Sequence, residues 1–357
     1  MTLSSFEYSE NNWKLSNLSP LHSSCLLVGR NSSGKTRTIH ALQNVVSFMQ
    51  MKQMHLGGSS SFSATMIFSD TNDNLFNMEY RFAVKNGIID EEILIVNEIK
   101  LIERTSDNAK YKSETVYPPE DKLVVQTRRD KLLYPEIEQL MAWAEGIICI
   151  SCSDINPFTI IAPSQLINPF LFSDLVDSLD TSAKETVMVN ASKLDYHISS
   201  IETIKANDNI RLVKIQEQEV SENIFDMQLS SGMLRTLYLL CFMQYIKNTP
   251  KTSMLLIDDM SEGLDYYRST QLGRLVFEES RKYGIQLIAS SNDSFLMDVV
   301  DIANWQVLRR VGSVVSVINQ QTHPDLFRKF KMTGLSNFDF FSSDFIDKYL
   351  SREKENV

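Results

Sequence analysis

Eight consecutive residues near the start of the chain constrain its fold more than any other feature. Gly29-Arg30-Asn31-Ser32-Ser33-Gly34-Lys35-Thr36 fits the pattern G-x-x-x-x-G-K-[ST] of a phosphate-binding loop. Glycines allow the backbone to curl around an anion, so that successive N–H groups point inward at phosphate oxygens. In such a loop the lysine reaches the β- and γ-phosphates, and the final hydroxyl binds Mg²⁺. The motif therefore predicts a nucleotide, a metal ion and an α/β fold together.

The flanks of this loop support the same interpretation. Before it, Ser24–Val28 is a short apolar run that is typical of a buried β-strand. After it, apolar residues recur at helical spacing, at Ile39, Leu42, Val45, Val46 and Met49. The alternative is a plain Gly/Ser turn between two elements. Because strand, loop and helix follow one another in the order that the motif requires, we favour the phosphate-binding loop.

Composition limits the class of protein. The chain has 357 residues, enough for one large domain or two modest ones, and 43% of them are hydrophobic, so a core can be buried. The formal net charge of −10 disfavours a general polyanion binder but is compatible with a local basic patch. Cys149-x-x-Cys152 lacks the second Cys/His pair that a zinc site needs, so reduced core thiols are expected.

The sequence shows neither a secretory signal nor a membrane span. Residues 1–12 are polar, and no apolar run approaches the roughly 20 residues that cross a bilayer. We therefore expect a cytoplasmic protein without a membrane partner, in which thiols stay reduced.

The spacing of apolar residues divides one predicted domain, which spans the whole chain, into four parts. Residues 1–60 and 210–320 alternate strand and helix, which predicts a nucleotide-binding core with a mostly parallel sheet and helices on both faces. Residues 62–126 alternate between turn signals, which predicts an inserted antiparallel β arm. Residues 323–357 form a predicted helical tail. Residues 130–207 are predicted as a helical lid, from 3.6-type spacing at Leu171, Leu175, Leu179, Leu194, Ile198, Ile201 and Ile204.

A second motif supplies the carboxylates that a phosphate-binding loop needs. Residues 254–257 are an apolar strand, which ends in Asp258 and Asp259. Asp258 would hold the Mg²⁺ shell, and Asp259 would act as general base or position the attacking water. The alternative is a strand that ends in a solvated acidic turn. The presence of the phosphate-binding loop favours the functional interpretation.

A third motif, Leu229-Ser230-Ser231-Gly232-Met233, opens a predicted helix that runs to Tyr245. Small residues at a helix start leave N–H groups free, and the helix dipole favours an anion there, which fits a γ-phosphate. An ordinary serine N-cap would give the same pattern, and this alternative stays open.

The order of these motifs resembles an ABC-type ATPase head: phosphate-binding loop, long insertion, residues 229–233, Asp258-Asp259 and then Glu262-Gly263-Leu264-Asp265. The residues at the variable positions of the loop motif are similar to those of soluble AAA-family members. These include structural-maintenance-of-chromosomes proteins, their DNA-repair relatives and the overcoming-lysogenization-defect ATPases of bacteria. The resemblance covers residues 20–50 and 225–310, and it implies the fold of a P-loop NTPase.

This resemblance implies a role for each motif. One subunit would bind ATP through Gly29, Arg30, Asn31, Ser32, Ser33, Gly34, Lys35, Thr36 and Arg37. The Mg²⁺ ligands would be Thr36 and Asp258, and the catalytic set would be Lys35, Asp259 and Asn292. A second subunit would close over the γ-phosphate with Ser230, Ser231, Gly232 and Asp265. ATP would then join two heads, and hydrolysis would release them.

The chain departs from the family pattern in three places. Asp259 stands where Glu is usual and is one methylene shorter, and Ser231 replaces a second glycine. Asn292 takes the place of a histidine that would contact the γ-phosphate. Asparagine can donate a hydrogen bond but cannot carry charge. Together, Asp259 and Asn292 predict slow ATP hydrolysis, as in a timer or sensor.

Several assignments stay open at the level of sequence. Gln126 and Gln165 are candidates for the glutamine that senses Mg²⁺. Trp13 could stack on adenine, although a position in the core is the favoured alternative. Three basic clusters could contact nucleic acid or simply face solvent: residues 128–131, 309–310 and 328–331.

The favoured function is an ATP-binding, slowly hydrolysing head that forms a homodimer or larger homo-oligomer around nucleotide and switches a partner. The resemblance to stand-alone bacterial ATPases predicts a role in anti-phage defence. A separate effector chain is expected, because the head and its insertions occupy the 357 residues. The first alternative is a DNA-binding repair or chromosome-structure clamp, with a basic groove formed on dimerisation. The second alternative is a transporter's ATPase subunit. Asn31 and Ser33 in the loop and the long β-rich insertion disfavour it.

Overall fold

The computed structural model describes residues 1–51, 61–69, 76–155, 170–207, 210–248 and 252–355. The chain divides into two compact units. The first unit comprises Met1–Ile147, Ala303–Gly334 and Phe345–Val357, and the second comprises Ile148–Ile302 and Leu335–Asp344. The phosphate-binding loop belongs to the first unit, and both Asp258 and the helix start at Ser230 belong to the second.

Strands and helices are numbered along the chain. The strands are β1 Thr2–Glu10, β2 Trp13–Leu18, β3 Ser24–Val28, β4 Phe62–Ser69, β5 Asn77–Lys85, β6 Ile88–Val96, β7 Ile99–Thr105, β8 Ala109–Tyr111, β9 Glu114–Thr115, β10 Ile147–Ser151, β11 Ile198–Lys205, β12 Arg211–Glu217, β13 Asn223–Phe225, β14 Met254–Asp258, β15 Gln286–Ser290, β16 Trp305–Val311 and β17 Val314–Ile318. The α-helices are α1 Lys35–Met49, α2 Val124–Thr127, α3 Pro135–Glu145, α4 Phe172–Ser178, α5 Thr181–Ser192, α6 Ser231–Lys247, α7 Tyr266–Lys282, α8 Ser294–Val299, α9 Pro324–Lys331, α10 Asn337–Ser342 and α11 Phe345–Glu355. Within the described ranges, none of these helices has the length and apolar character needed to cross a bilayer.

The sheet of the first unit is mixed. Its strand order is β3-β16-β17-β2-β1-β4-β5-β6-β7-β8-β9. β3 is parallel to β16 and β2 is parallel to β17, whereas β16 and β17 are antiparallel. Among the described strand pairs of the predicted core, β3–β16, β2–β17 and β14–β15 are parallel, and β1–β2 and β16–β17 are antiparallel. The antiparallel pairs arise because β1–β2 and β16–β17 are joined by two residues each, and such short connections force antiparallel pairing. Gly312 supplies the positive φ, 61°, in the second of these turns.

Strands β4 to β9, within the segment 62–126, form an antiparallel meander. β4 pairs with β1 along its whole length, so the meander continues the sheet of the first unit. Alternate side chains of β5 are buried, namely Met78, Tyr80, Phe82 and Val84. This one-sided burial fixes the register, because a shift by one residue would expose all of them.

The second unit contains the parallel pair β14 and β15, whose residues are all buried. Helices α4 and α5 pack against α6 in the same unit. The predicted strand at β14 is confirmed, and the predicted helix at α6 is confirmed with an end two residues beyond Tyr245.

One part of the predicted helical lid is wrong. Residues 198–205 form β11, which belongs to a separate antiparallel sheet with the order β11-β12-β13. A register shift between Ile198 and Ser200 inserts an extra residue, so Ile198 and Ile201 are both buried despite their spacing of three. This spacing looks helical in the sequence, but the β-branched side chains of the segment favour a strand.

Candidate functional site

The phosphate-binding loop lies between β3 and α1, as the motif predicts. Gly34 is the N-cap of α1 with φ 106° and ψ 16°, a left-handed conformation that favours glycine. A Cβ at this position would lie 3.2 Å from Val315 Cγ2. The 15-residue helix α1 has no side-chain hydrogen bond at its N-cap. Its first N–H groups and its dipole are therefore available to an anion.

The close packing of the loop backbone depends on Gly29 as well. A Cβ on Gly29 would lie 2.3 Å from Ser33 Oγ and 2.9 Å from the Leu308 carbonyl oxygen. The Ser33 hydroxyl is buried and has no hydrogen-bond partner among the described residues. A buried hydroxyl without a partner is costly, so a ligand oxygen at this position would stabilise it. The loop therefore fits a phosphate group.

Lys35 is folded into the loop. Its side chain is 6% exposed, and its Nζ donates to the Gly29 carbonyl at 2.7 Å and to the Arg30 carbonyl at 3.5 Å. The positive charge is thus held against the backbone that would surround a phosphate. Thr36, one residue later, is exposed and offers a hydroxyl oxygen, a ligand type that Mg²⁺ accepts.

Two arginines, one within the motif and one directly after it, form ion pairs with carboxylates. Arg30 Nη2 lies 3.3 Å from Asp347 Oδ2, and Arg37 Nη2 lies 3.4 Å from Glu10 Oε2. The Arg37 guanidinium also stacks over the ring of Trp13, 4.5 Å from its centroid. Trp13 is 3% exposed, which confirms its position in the core. Asn31 and Ser32 are exposed at the tip of the loop.

Gln126 does not serve the phosphate-binding loop. Its Oε1 accepts the Leu123 N–H at 2.8 Å, and its Nε2 donates to the Phe48 carbonyl at 2.6 Å. Phe48 lies near the C-terminal end of α1, and Lys35 lies at the other end, about 20 Å away along the helix axis. This candidate for the Mg²⁺-sensing glutamine is therefore wrong, and Gln165 lies outside the described residues.

In the second unit, the predicted acidic residues lie at the carboxyl end of β14. Asp258 is 1% exposed, and its Oδ1 accepts a hydrogen bond from the Ser290 hydroxyl. The same Ser290 oxygen accepts the Asp259 N–H at 3.0 Å. Ser290 ends the parallel neighbour β15, so its position follows from the strand pairing. The sequence motifs did not indicate this residue, which fixes both aspartates.

Asn292 lies beyond the end of β15, at the same edge of the parallel pair as Asp258 and Asp259. Its side chain is exposed, whereas Ser291 beside it is buried. Asp293 anchors the segment, because it caps α8 by accepting the Phe295 N–H at 2.9 Å and also accepts a hydrogen bond from the Ser269 hydroxyl. Asp258, Asp259 and Asn292 thus lie at the carboxyl ends of two neighbouring parallel strands.

Ser230 is the N-cap of α6, and its hydroxyl accepts the Met233 N–H at 3.3 Å. The ordinary N-cap is thus present, and it leaves Ser231 exposed at the helix start. A Cβ on Gly232 would lie 3.0 Å from the Gly263 carbonyl and 3.1 Å from Leu264 Cδ2. A side chain at this position would require residues 263–264 to move by a few tenths of an ångström, so glycine favours the close approach of the α6 start to these residues.

This approach forms one wall of a cleft of about 410 Å³, which we term the α6 cleft. It is lined by Tyr196, Ser230, Ser231, Gly232, Arg235, Gly263, Leu264, Asp265 and Arg268. The structure thus brings together Ser230, Ser231, Gly232 and Asp265, all of which the sequence assigned to one role. The backbone N–H of Arg268 lowers the pKa of Asp265, and the guanidinium of Arg268 adds to this effect, so Asp265 is ionised at neutral pH.

The described residues contain no cluster of His, Cys, Asp and Glu that could bind a metal by itself. Cys149 and Cys152 are buried, and burial raises the pKa of both thiols, so they are neutral core residues. Asp258 supplies a carboxylate oxygen, the hard ligand type that Mg²⁺ prefers.

No family model and no curated protein sequence matches the chain. Its fold is similar to solved head domains of structural-maintenance-of-chromosomes (SMC) proteins. An SMC head bound to the C-winged-helix domain of ScpA has 13% identity, covers 90% of this chain and 99% of its own, and has a TM-score of 0.56. The SMC head of Thermotoga maritima has 14% identity, covers 89% and 99%, and has a TM-score of 0.50. A Pyrococcus furiosus SMC head bound to the C-terminal domain of ScpA has 11% identity, covers 92% and 99%, and has a TM-score of 0.55.

The chain therefore has the α/β fold of an SMC head, a large mixed sheet with helices. This finding confirms the fold that the motif order predicted. At these identities the similarity concerns the fold, and the chemistry depends on the residues described above.

Proposed function

We propose that the chain is an ABC-type ATPase head that binds ATP, dimerises around it, hydrolyses it slowly and switches a partner protein. The observation that carries this proposal is the form of the phosphate-binding loop. Gly34 is left-handed at the start of an uncapped 15-residue helix, and the buried Lys35 amine lies against the carbonyl of Gly29. This combination of free N–H groups and a fixed positive charge is suited to a triphosphate.

For hydrolysis, we assign Asp259 as the general base or water-positioning residue and Asn292 as a neutral donor to the γ-phosphate. The backbone N–H of Asp259 donates to Ser290 Oγ at 3.0 Å, and the side chain is one methylene shorter than the usual glutamate, so the carboxylate would reach less far toward the ligand. Lys35 would neutralise charge on the β- and γ-phosphates. Mg²⁺, held by Thr36 and Asp258, would neutralise phosphate charge and orient the phosphates when bound. These features favour slow turnover.

Dimerisation is proposed from the α6 cleft. The start of α6 at Ser231 and Gly232 lies beside the cations Arg235 and Arg268, a combination that suits an anion. We propose that a second copy of the chain supplies the nucleotide. Tyr266 and Tyr267 directly follow Asp265 and are 61% and 51% exposed. Exposed aromatic side chains are frequent at protein interfaces. A homodimer, or a larger homo-oligomer, is therefore our proposal.

A separate protein partner is the next part of the proposal. Two of the SMC heads with this fold were solved with a domain of ScpA bound. We propose that this chain likewise acts on another protein, and that the nucleotide state decides whether the partner is engaged. A role in anti-phage defence stays a prediction of the sequence resemblance.

The test combines equilibrium binding of a fluorescent ATP analogue with steady-state phosphate release. The wild-type chain should bind the analogue and release phosphate at well below about 10 per second, the median for enzymes. Lys35→Ala should lose binding, and Asp259→Asn should bind but not turn over. Lys110→Ala, an exposed change in β8, is the matched control. Failure of the wild-type chain to bind, or undiminished binding by Lys35→Ala, would overturn the proposal.

A chromosome-structure or DNA-repair clamp is the second candidate, and the SMC-head fold favours it over a transporter subunit. It requires binding to duplex DNA that weakens steeply with salt and depends on ATP. Fluorescence anisotropy with a labelled duplex at two salt concentrations separates this candidate from a head that acts on a protein alone.

A further inference from the structure

The α6 cleft contains a residue that the proposed function does not use. Arg268 lies on the first turn of α7, three residues after Asp265. Its guanidinium contacts two separate parts of the cleft wall, the N-cap of α7 and residues 194–196, which follow α5. Each set of contacts has a distinct consequence.

The first set fixes the carboxylate of Asp265. The backbone N–H of Arg268 donates to Asp265 Oδ1 at 3.0 Å, and Nη1 donates to Asp265 Oδ2 at 2.5 Å. Both carboxylate oxygens are thus held by one residue. Charge-assisted hydrogen bonds of this kind are stronger than neutral ones, so the rotamer of Asp265 is defined.

The second set fixes the turn at residues 194–196. Arg268 Nε donates to the Leu194 carbonyl at 3.1 Å, and Nη2 lies 3.5 Å from the Asp195 carbonyl and 3.6 Å from Asp195 Oδ2. These carbonyls follow the end of α5, where the helix dipole is negative and favours a cation. The guanidinium thus joins the end of α5 to the start of α7.

The same guanidinium stacks on Tyr196, with Cζ 4.5 Å from the ring centroid. The Tyr196 hydroxyl in turn lies 3.8 Å from the position that a Cβ on Gly232 would occupy. A continuous path of contacts therefore runs from α5 through Arg268 and Tyr196 to the start of α6. Only a planar cation with several donors can make all of these contacts at once.

We propose that Arg268 is a positioning residue, through which the position of residues 194–196 controls the capacity of the α6 cleft to accept the nucleotide of a second subunit. This inference rests on the proposed function, since it concerns regulation of the same cleft. Arg268 holds Asp265 and the Tyr196 ring in place, and a displacement of the 194–196 turn moves both. The end of α5 thereby gains control over dimerisation.

The test uses the full chain in an Asp259→Asn background, in which ATP persists. Arg268→Lys and Arg268→Ala are compared with Arg281→Ala, an exposed change on the last turn of the same helix. Binding of a fluorescent ATP analogue at concentrations where the chain is monomeric should be unchanged in all variants. ATP-dependent dimerisation, measured by sedimentation velocity, should weaken by about tenfold or more in both Arg268 variants, within the usual range for coupled sites. Arg281→Ala should dimerise normally.

A readout on the turn itself separates positioning from mere stability. In the Arg281→Ala control, hydrogen exchange at residues 194–197 should slow on dimerisation. In Arg268→Lys this slowing of exchange should be smaller, because lysine keeps the charge but not the planar fork. Normal dimerisation of Arg268→Lys would overturn the inference, and so would equal loss of dimerisation and monomer binding. If instead the Asp259→Asn chain with Arg268 intact fails to bind ATP or to dimerise, the proposed function fails first.

Discussion

Substitution of Gly34 by alanine should weaken nucleotide binding while the fold persists. At φ 106° an alanine is strained, and its Cβ would lie 3.2 Å from Cγ2 of the buried Val315. Residues forced into sparsely populated backbone regions cost about 1–3 kcal/mol each. If the loop relaxes to relieve this strain, its N–H groups turn away from the anion. A loss of about 2 kcal/mol in binding corresponds to a dissociation constant for ATP about 30-fold higher.

Isothermal titration calorimetry with ATP and Mg²⁺ measures this change, and thermal unfolding measures the effect on the fold. Gly87→Ala is the matched control, because Gly87 also has a positive φ, 80°, but a Cβ there would meet no atom within 4 Å. Gly87→Ala should lower the thermal stability through backbone strain, while the affinity for ATP stays unchanged. Wild-type affinity in Gly34→Ala, or an equal loss of affinity in Gly87→Ala, would refute the assignment of this loop to phosphate.

Three further predictions concern other parts of the chain. Ser290→Ala leaves the buried Asp258 carboxylate without its hydroxyl donor. This change should lower the free energy of unfolding, measured in urea, by about 1–3 kcal/mol and should lower the rate of phosphate release. An unchanged unfolding free energy together with an unchanged rate would contradict this prediction. Asp259→Glu restores the longer side chain and should raise turnover without changing ATP affinity, whereas a slower variant would count against the role of Asp259 in limiting the rate. Burial raises the pKa of Glu92 from 4.5 to about 7, so the folded chain keeps a proton that the unfolded chain loses. Stability should therefore fall as pH rises between these values, by up to about 3 kcal/mol, and calorimetry should show this dependence flattened in Glu92→Gln.

The sequence was sufficient for elements whose pattern is local. The strand at Met254–Asp258 agrees with the prediction, because its apolar run ends at two acidic residues. The phosphate-binding loop likewise follows from residues adjacent in the chain. Its left-handed glycine at the helix start is a local requirement of the motif.

What sequence reasoning missed depends on contacts between distant residues. The strand at Ile198–Lys205 was predicted as a helix because a bulge gives it an apolar spacing of three. Gln126 was a candidate by residue type, although its amide caps the far end of α1. Ser290 and Arg268 contact Asp258 and Asp265, yet neither belongs to a recognisable motif. The pairing of β14 with β15 and the contact of Arg268 with residues 194–195 reveal them.

The central claim is that each of two copies supplies what the other lacks, and trans-complementation measures it most directly. Lys35→Ala removes the phosphate-binding amine, and Gly232→Asp closes the α6 cleft, so each variant alone should neither dimerise with ATP nor release phosphate. A mixture of the two can form a heterodimer with one intact site, and we expect it to regain ATP-dependent association and part of the phosphate release. A mixture as inactive as its components, with both variants folded, would contradict the shared site.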